Sequence, residues 1–225
     1  MPPARAPRVA ALADAILLRI GLLNNPYFTA LADGSMPLET FRRGQEQFFF
    51  AVRYFARPMA ALVARIPEPA HRLDLLRNIV EEHGDFQETR FHQNTFRDFL
   101  KSIGAHDAGA GTFKPSPAVH AFNSILMGAC IADELEIGIA CVGIIEYAFA
   151  DVSALIGKAV VDRGWLSSEQ LMHYALHAEL DIRHADEFFA LLEPKFDDVQ
   201  RWSAIKQGLE LGAYAFDQLY RSLLQ

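Results

Sequence analysis

Apolar positions recur at three- and four-residue intervals along nearly the whole chain. No stretch alternates apolar and polar residues over six positions, as a half-buried strand would. The spacing predicts helices over 6–24, 38–66, 70–83, 89–103, 118–134, 135–163, 167–193 and 196–223, with a short helix or turn at 27–33. Punctuating residues mark their ends. Asn24-Asn25-Pro26 stops the first helix and Pro37 opens the long second one, in which Pro58 is expected to introduce a kink. Gly84 breaks the next helix, and Gly104 closes the one after it. Ser167, with Gln170 three residues later, reads as a capping box that opens the run up to Pro194. The Gly- and Pro-rich segment 104–117 reads as a connection rather than a boundary. The expected fold class is therefore all-α: a single domain, 1–225, of seven or eight helices.

Polar residues on inward faces carry the candidate chemistry. His177, Asp181 and His184 are four and then three apart, so they share one helix face, and that face continues through Phe188 and Leu191 into the core. Two imidazoles and a carboxylate suit Fe, Zn, Mn or Co; the competing reading is a solvated or mutually paired stripe. Glu146 sits in IGIACVGIIEYAFADVSALIG, with apolar residues on every side. An unpaired ionised carboxylate there costs several kcal/mol, so Glu146 must be paired, protonated or metal-bound, and few arginines are placed to be buried beside it. Glu82 follows Leu75 and Ile79 onto the inward rim of its helix, whereas Glu81 follows Asp74 and Asn78 onto the wet side. His83 points near the apolar face and reads first as a packed or hydrogen-bonded side chain, with a ligand as the second reading. His92 opens a helix that continues with Phe96, Phe99 and Leu100, either as a ligand or as a helix-start histidine.

Together Glu82, His92, Glu146, His177, Asp181 and His184 form a ligand complement sized for two ions. The four-helix di-iron pattern needs Glu-x-x-His twice, and the chain does not supply it twice, which disfavours a ferritin-like bundle.

Composition narrows the setting. With 21 Lys and Arg against 28 Asp and Glu the net charge is −7, and no basic block occurs, so nucleic acid is not an expected partner. Hydrophobic residues make up 51% and Phe alone contributes 17, enough for a substantial core. Cys130 and Cys141, both in apolar helical surroundings, read as buried reduced thiols of a cytoplasmic protein. The N-terminal run lacks a clear small-residue cleavage site and continues with helical period, so no signal peptide is expected. The most apolar stretch, 137–157, carries Glu146 and Asp151, and so reads as a core helix rather than a membrane span.

The order Glu … His … Glu … His-x-x-x-Asp-x-x-His, on a helical chain of this size, resembles the haem-oxygenase-like di-metal oxidases. These are fold relatives of haem oxygenase, thiaminase II and the pyrroloquinoline quinone synthase. The resemblance runs through QEQFFFAVRYFARPMAAL, Asn78-Ile79-Val80-Glu81-Glu82-His83-Gly84 and, most specifically, HAELDIRHADEF. It implies Glu82, His92, Glu146, His177, Asp181 and His184 as metal ligands, with Glu82, Glu146 and Asp181 as the catalytic carboxylates. It also implies two Fe ions or an Fe/Mn pair, O2 as co-substrate, an external reductant and often a homodimer. The substrate would be a small organic molecule: known branches cleave C–C or C–H bonds of fatty or amino acids, N-oxygenate amines, or build an aminobenzoate. The fold relatives fit less well. The first histidine is His71, too late for a proximal haem ligand of the haem-oxygenase type, and neither cysteine has the polar surroundings of a thiaminase nucleophile. The alternatives are a thiaminase-like or Zn-dependent hydrolase and a non-catalytic helical binding protein. The Phe-rich segment 48–55, with Tyr54, either lines an apolar pocket or is simply core.

Overall fold

A computed structural model describes residues 5–106 and 113–224 of the chain; for residues 172, 175, 176, 178 and 179 it describes the backbone alone. Among the described residues there are nine α-helices and no strand. In order they are α1 (Pro7–Ile20), α2 (Pro26–Ala32), α3 (Leu38–Arg65), α4 (Leu73–Glu82), α5 (His92–Ser102), α6 (Pro117–Ile131), α7 (Leu135–Asp162), α8 (Met172–Leu192) and α9 (Val199–Ser222). The short element expected at 27–33 is the helix α2, seven residues long, which brings the described helices to nine where seven or eight were expected; Asn25 caps it, its side chain accepting from the Tyr27 N–H.

α3 runs as one helix through Pro58, which is buried. One expectation of element shape is corrected. The Ser167–Gln170 pair does close on itself, Ser167 N–H donating to Gln170 Oε1 at 3.1 Å. However, it caps a 3-10 turn over Ser168–Gln170, and α8 starts only after Leu171. Within 104–117, residues 107–112 lie outside the described residues.

α7 is the axis of the fold. It is long and apolar enough to cross a membrane, yet 78% of its most apolar window is buried against the other helices. Its main neighbours are α8 and α9. Small residues let these backbones approach. On α9 a Cβ at Gly212 would lie 2.4 Å from the Cys141 carbonyl oxygen, and on α7 a Cβ at Gly143 would lie 2.8 Å from Phe188 Cβ on α8. The Gly143 contact sits one turn before Glu146 and one turn after His184, so it sets how closely the polar faces of α7 and α8 meet. Cys130 and Cys141 are free and buried; burial holds both thiols far above their ordinary range.

Candidate metal centre

The site forms where α7, α8 and the facing ends of α4 and α5 converge. Ligand atoms of Glu146, Asp181 and His184 all lie within 4.8 Å of one another. His184 Nδ1 is 3.9 Å from Glu146 Oε2 and 3.8 Å from Asp181 Oδ1. On its far side His184 donates through Nε2 to Glu81 Oε2 at 2.7 Å, and that oxygen also accepts from Arg183 Nη2 at 2.6 Å. This bond fixes the tautomer: the Nδ1 lone pair faces the cluster, buried and without a hydrogen-bond partner. Glu81 is thus a half-buried acceptor and not the solvated residue that its place on the wet side of α4 predicts, because Arg183 and His184 reach across from α8.

The remaining three expected residues adjoin this group. Glu82, at the C-terminal end of α4, and His92, at the start of α5, form a pair 2.8 Å apart. Gly84, with a positive φ, makes the turn between them, and a Cβ there would lie 2.5 Å from the Arg90 carbonyl carbon. His177 approaches Asp181 through Nδ1 at 2.9 Å, which leaves its buried Nε2 unpartnered. His83 bonds back to the Ile79 carbonyl at 2.7 Å and stacks edge-on against Phe91, away from the cluster.

Sequence reading missed two participants. Asn78 donates to Glu146 Oε1 at 3.3 Å from inside α4. His173 is 1% exposed; its Nδ1 pairs with Thr95 Oγ1 at 3.1 Å, and its Nε2 has no partner. The ring centroids of His173 and His177 are 4.4 Å apart. Helical spacing could have found it, since His173 lies one turn before His177 on the stripe that leads to Asp181 and His184.

The electrostatics favour a bound cation. Burial, then the repulsion of Asp181 and Glu82, pushes Glu146 well above the usual carboxylate range; burial and Glu82 do the same to Asp181. Burial also acts to raise Glu82, but the adjacent His92 outweighs it and holds Glu82 at about 2. Burial together with His92 drives His177 down to about 3. Among the described residues no Lys or Arg pairs with Glu82, Glu146 or Asp181. Three crowded carboxylates and several inward-facing imidazole lone pairs are both satisfied by positive metal ions, and a mixed O/N donor set suits iron or manganese.

Two cavities flank the centre and share His92 and His173 as lining residues. One is apolar and small, about 40 Å³, bounded by Phe48, Ala51, Val52, Phe149 and Phe216 together with Glu82, Glu146 and His177. The other is a polar vestibule of about 750 Å³, bounded by Glu81, Arg90, Thr95, Phe99 and Arg183.

Comparison with known proteins supplies a family and a fold. The chain is 23% identical over 181 residues to a 4-aminobenzoate synthase of Chlamydia muridarum, covering 80% of this chain and 75% of that one. It is 24% identical over 196 residues to a 4-aminobenzoate synthase of Nitrosomonas europaea, covering 82% and 78%. Among solved structures it resembles a cadd-like protein of unknown function from Nostoc punctiforme, with TM-score 0.77, 14% identity and coverage of 96% and 97%. It likewise resembles a domain with a heme oxygenase-like fold from Shewanella denitrificans, with TM-score 0.68, 19% identity and coverage of 96% and 90%. The family model described as iron-containing redox enzyme matches residues 42–213, a span that holds all six expected ligands as well as Asn78, Glu81 and His173. The chain belongs to that family of iron-containing redox enzymes, and it is an oxidoreductase with a haem-oxygenase-like fold.

Proposed function

We propose that this protein is an O2-dependent non-haem di-iron oxidase that oxidises a small organic substrate. The observation that carries the reading is the set of buried carboxylates and imidazoles at the α4–α5–α7–α8 junction, which lacks any lysine or arginine partner among the described residues. Glu146, Asp181 and His184 would hold one ion. Glu82 and His92 would hold the other, with His177, which reaches Asp181 and packs 4.6 Å from the His92 ring, between the two groups. Bound there, iron would supply the redox chemistry, with dioxygen as oxidant and the substrate and an external reductant as the sources of electrons.

The chain's own residues do the rest. Glu81 and Arg183 hold His184 in one tautomer, and Asp181 aims His177 Nε2 inward. The phenylalanines around the small cavity keep bulk water from one side of the centre. The donor set also admits Fe/Mn. The relatives named 4-aminobenzoate synthase support an arylamine product of the 4-aminobenzoate type as the finer reading.

Anaerobic titration with Fe(II) tests the oxidase reading. Two equivalents per chain are expected, followed by O2 uptake in the presence of a reductant. Tight binding of one ion with no O2 uptake overturns it. Rescue of a 4-aminobenzoate auxotroph tests the finer reading: no growth, with iron loading and O2 uptake intact, removes the arylamine and leaves the oxidase.

A further inference from the structure

The two cavities beside the centre differ in size and polarity by more than one substrate can reconcile. Holding a single water takes about 10–15 Å³, and an engineered apolar cavity of about 150 Å³ binds benzene or xenon. At about 40 Å³ the apolar cavity is several times smaller than that and suits a small diatomic molecule. The vestibule, at about 750 Å³, has room for one.

Their walls separate them further. Apart from the expected ligands and His173, the lining of the small cavity is wholly apolar. The vestibule presents hydroxyls, carboxylates and two guanidinium groups. Arg183 is committed to Glu81, whereas Arg90 is exposed and forms no ion pair among the described residues. His173 stands in the shared wall. Its Nδ1 is tied to Thr95 on the vestibule side, and its buried Nε2 is unpartnered.

We propose that dioxygen and the organic substrate reach the centre from opposite sides of the His92–His173 wall: dioxygen occupies the small apolar cavity, and a carboxylate-bearing substrate binds in the polar vestibule with its carboxylate on Arg90. This rests on the oxidase reading and adds to it a substrate class and a direction of approach. A planar molecule with a carboxylate at one end and a hydrogen-bonding amine at the other matches the vestibule. The guanidinium binds the carboxylate bidentately, and the amine end meets the acceptors near the wall. The small cavity, by contrast, has no lysine or arginine in its lining to receive a carboxylate away from the ligand cluster.

The test uses the full chain loaded with Zn(II), so that no turnover intervenes. 4-Aminobenzoate serves as the probe for the vestibule and xenon as the probe for the apolar cavity. Arg90→Glu is expected to weaken 4-aminobenzoate at least tenfold by calorimetry and to leave the xenon site filled. Ala51→Leu is expected to empty the xenon site and to leave 4-aminobenzoate affinity within twofold. Val52→Phe does the same job should the leucine variant fail to fold, as judged by its melting temperature.

Loss of 4-aminobenzoate in the Ala51 or Val52 variant, with full retention in Arg90→Glu, overturns the assignment. So does an absence of 4-aminobenzoate binding by the unaltered protein. Iron stoichiometry is measured on separate samples of the same variants. A failure to take up two irons therefore counts against the oxidase reading alone, while the two-sided arrangement stands or falls on the zinc-loaded protein.

Discussion

Glu136 and Glu146 lie ten residues apart on α7, and they are equally buried, at 2% and 3% exposure. Their surroundings are opposite. Glu136 is held by Lys195 Nζ at 2.7 Å and Arg201 Nη1 at 2.8 Å, which reach it from beyond the end of α8 and from α9. Those two cations pull its carboxyl below the ordinary value in spite of burial. Glu146 has an amide at 3.3 Å, an imidazole at 3.9 Å and two further carboxylates in its neighbourhood. The first is a completed ion-pair network that ties helices together. The second is an uncompensated buried acid, which costs stability unless a cation from outside completes it. Burial alone does not separate structure from function here; the presence or absence of a protein cation does.

The sharpest way to break this comparison is to neutralise each acid. Glu146→Gln is expected to abolish iron loading, measured by metal analysis after anaerobic Fe(II) titration, without lowering the melting temperature of the metal-free protein. Full iron occupancy in this variant would sink the ligand assignment. Glu136→Gln is expected to do the reverse, leaving iron loading intact and costing about 2 kcal/mol. That is less than the roughly 3–5 kcal/mol of a fully buried pair, because Lys195 and Arg201 are 37% and 50% exposed and keep part of their hydration. In a chain of this size the loss lowers the melting temperature by about 4–8 °C. An unchanged melting temperature would show that the network is not structural.

The same comparison marks what could be read from the residues alone. Helix type and extent follow from periodicity, and so does the burial of Glu146, because every neighbour along its helix is apolar. Glu136, in the first turn of its helix, carries no local sign of its ion pairs, since its partners lie 59 and 65 residues away in sequence. Glu81 failed as a solvated residue for the same reason: its helix face is polar, but Arg183 and His184 arrive from α8. The pairing of Glu82 with His92 depends on a turn of left-handed residues, Gly84, Asp85 and Phe86, of which only the glycine signals itself. His173 needed no tertiary information, only one more turn of the stripe.

Glu81 supplies the next, smaller effect. It touches no other expected ligand than His184 and acts by fixing that ring. Glu81→Ala is expected to weaken Fe(II) binding about 10- to 100-fold, the usual range for the carboxylate partner of a metal-bound histidine. The stoichiometry should remain two irons per chain. Complete loss of one iron instead would make Glu81 a ligand.

The smallest effect is on the pH dependence of folding, where two buried acids of α7 and α8 act with opposite sign. Glu136 has a folded-state value below its unfolded one, so its stabilisation is present above about pH 4.5 and is lost as pH falls through the folded value. Glu187, on α8, is 4% exposed, and burial pushes it up to about 7 even though Arg77 and Arg183 each stand 3.6 Å away. Its contribution is complete below about pH 4.5 and declines as pH rises toward 7, because the unfolded chain sheds that proton first. Each group contributes a slope of at most about 1.4 kcal/mol per pH unit. Denaturant titrations of the metal-free protein should therefore show Glu187→Gln flattening the curve between pH 4.5 and 7, and Glu136→Gln flattening only the acid limb below it. If both variants altered the same limb, Glu187 would be ionised in the folded protein and paired with its arginines, and the contrast between compensated and uncompensated acids would be confined to the metal centre.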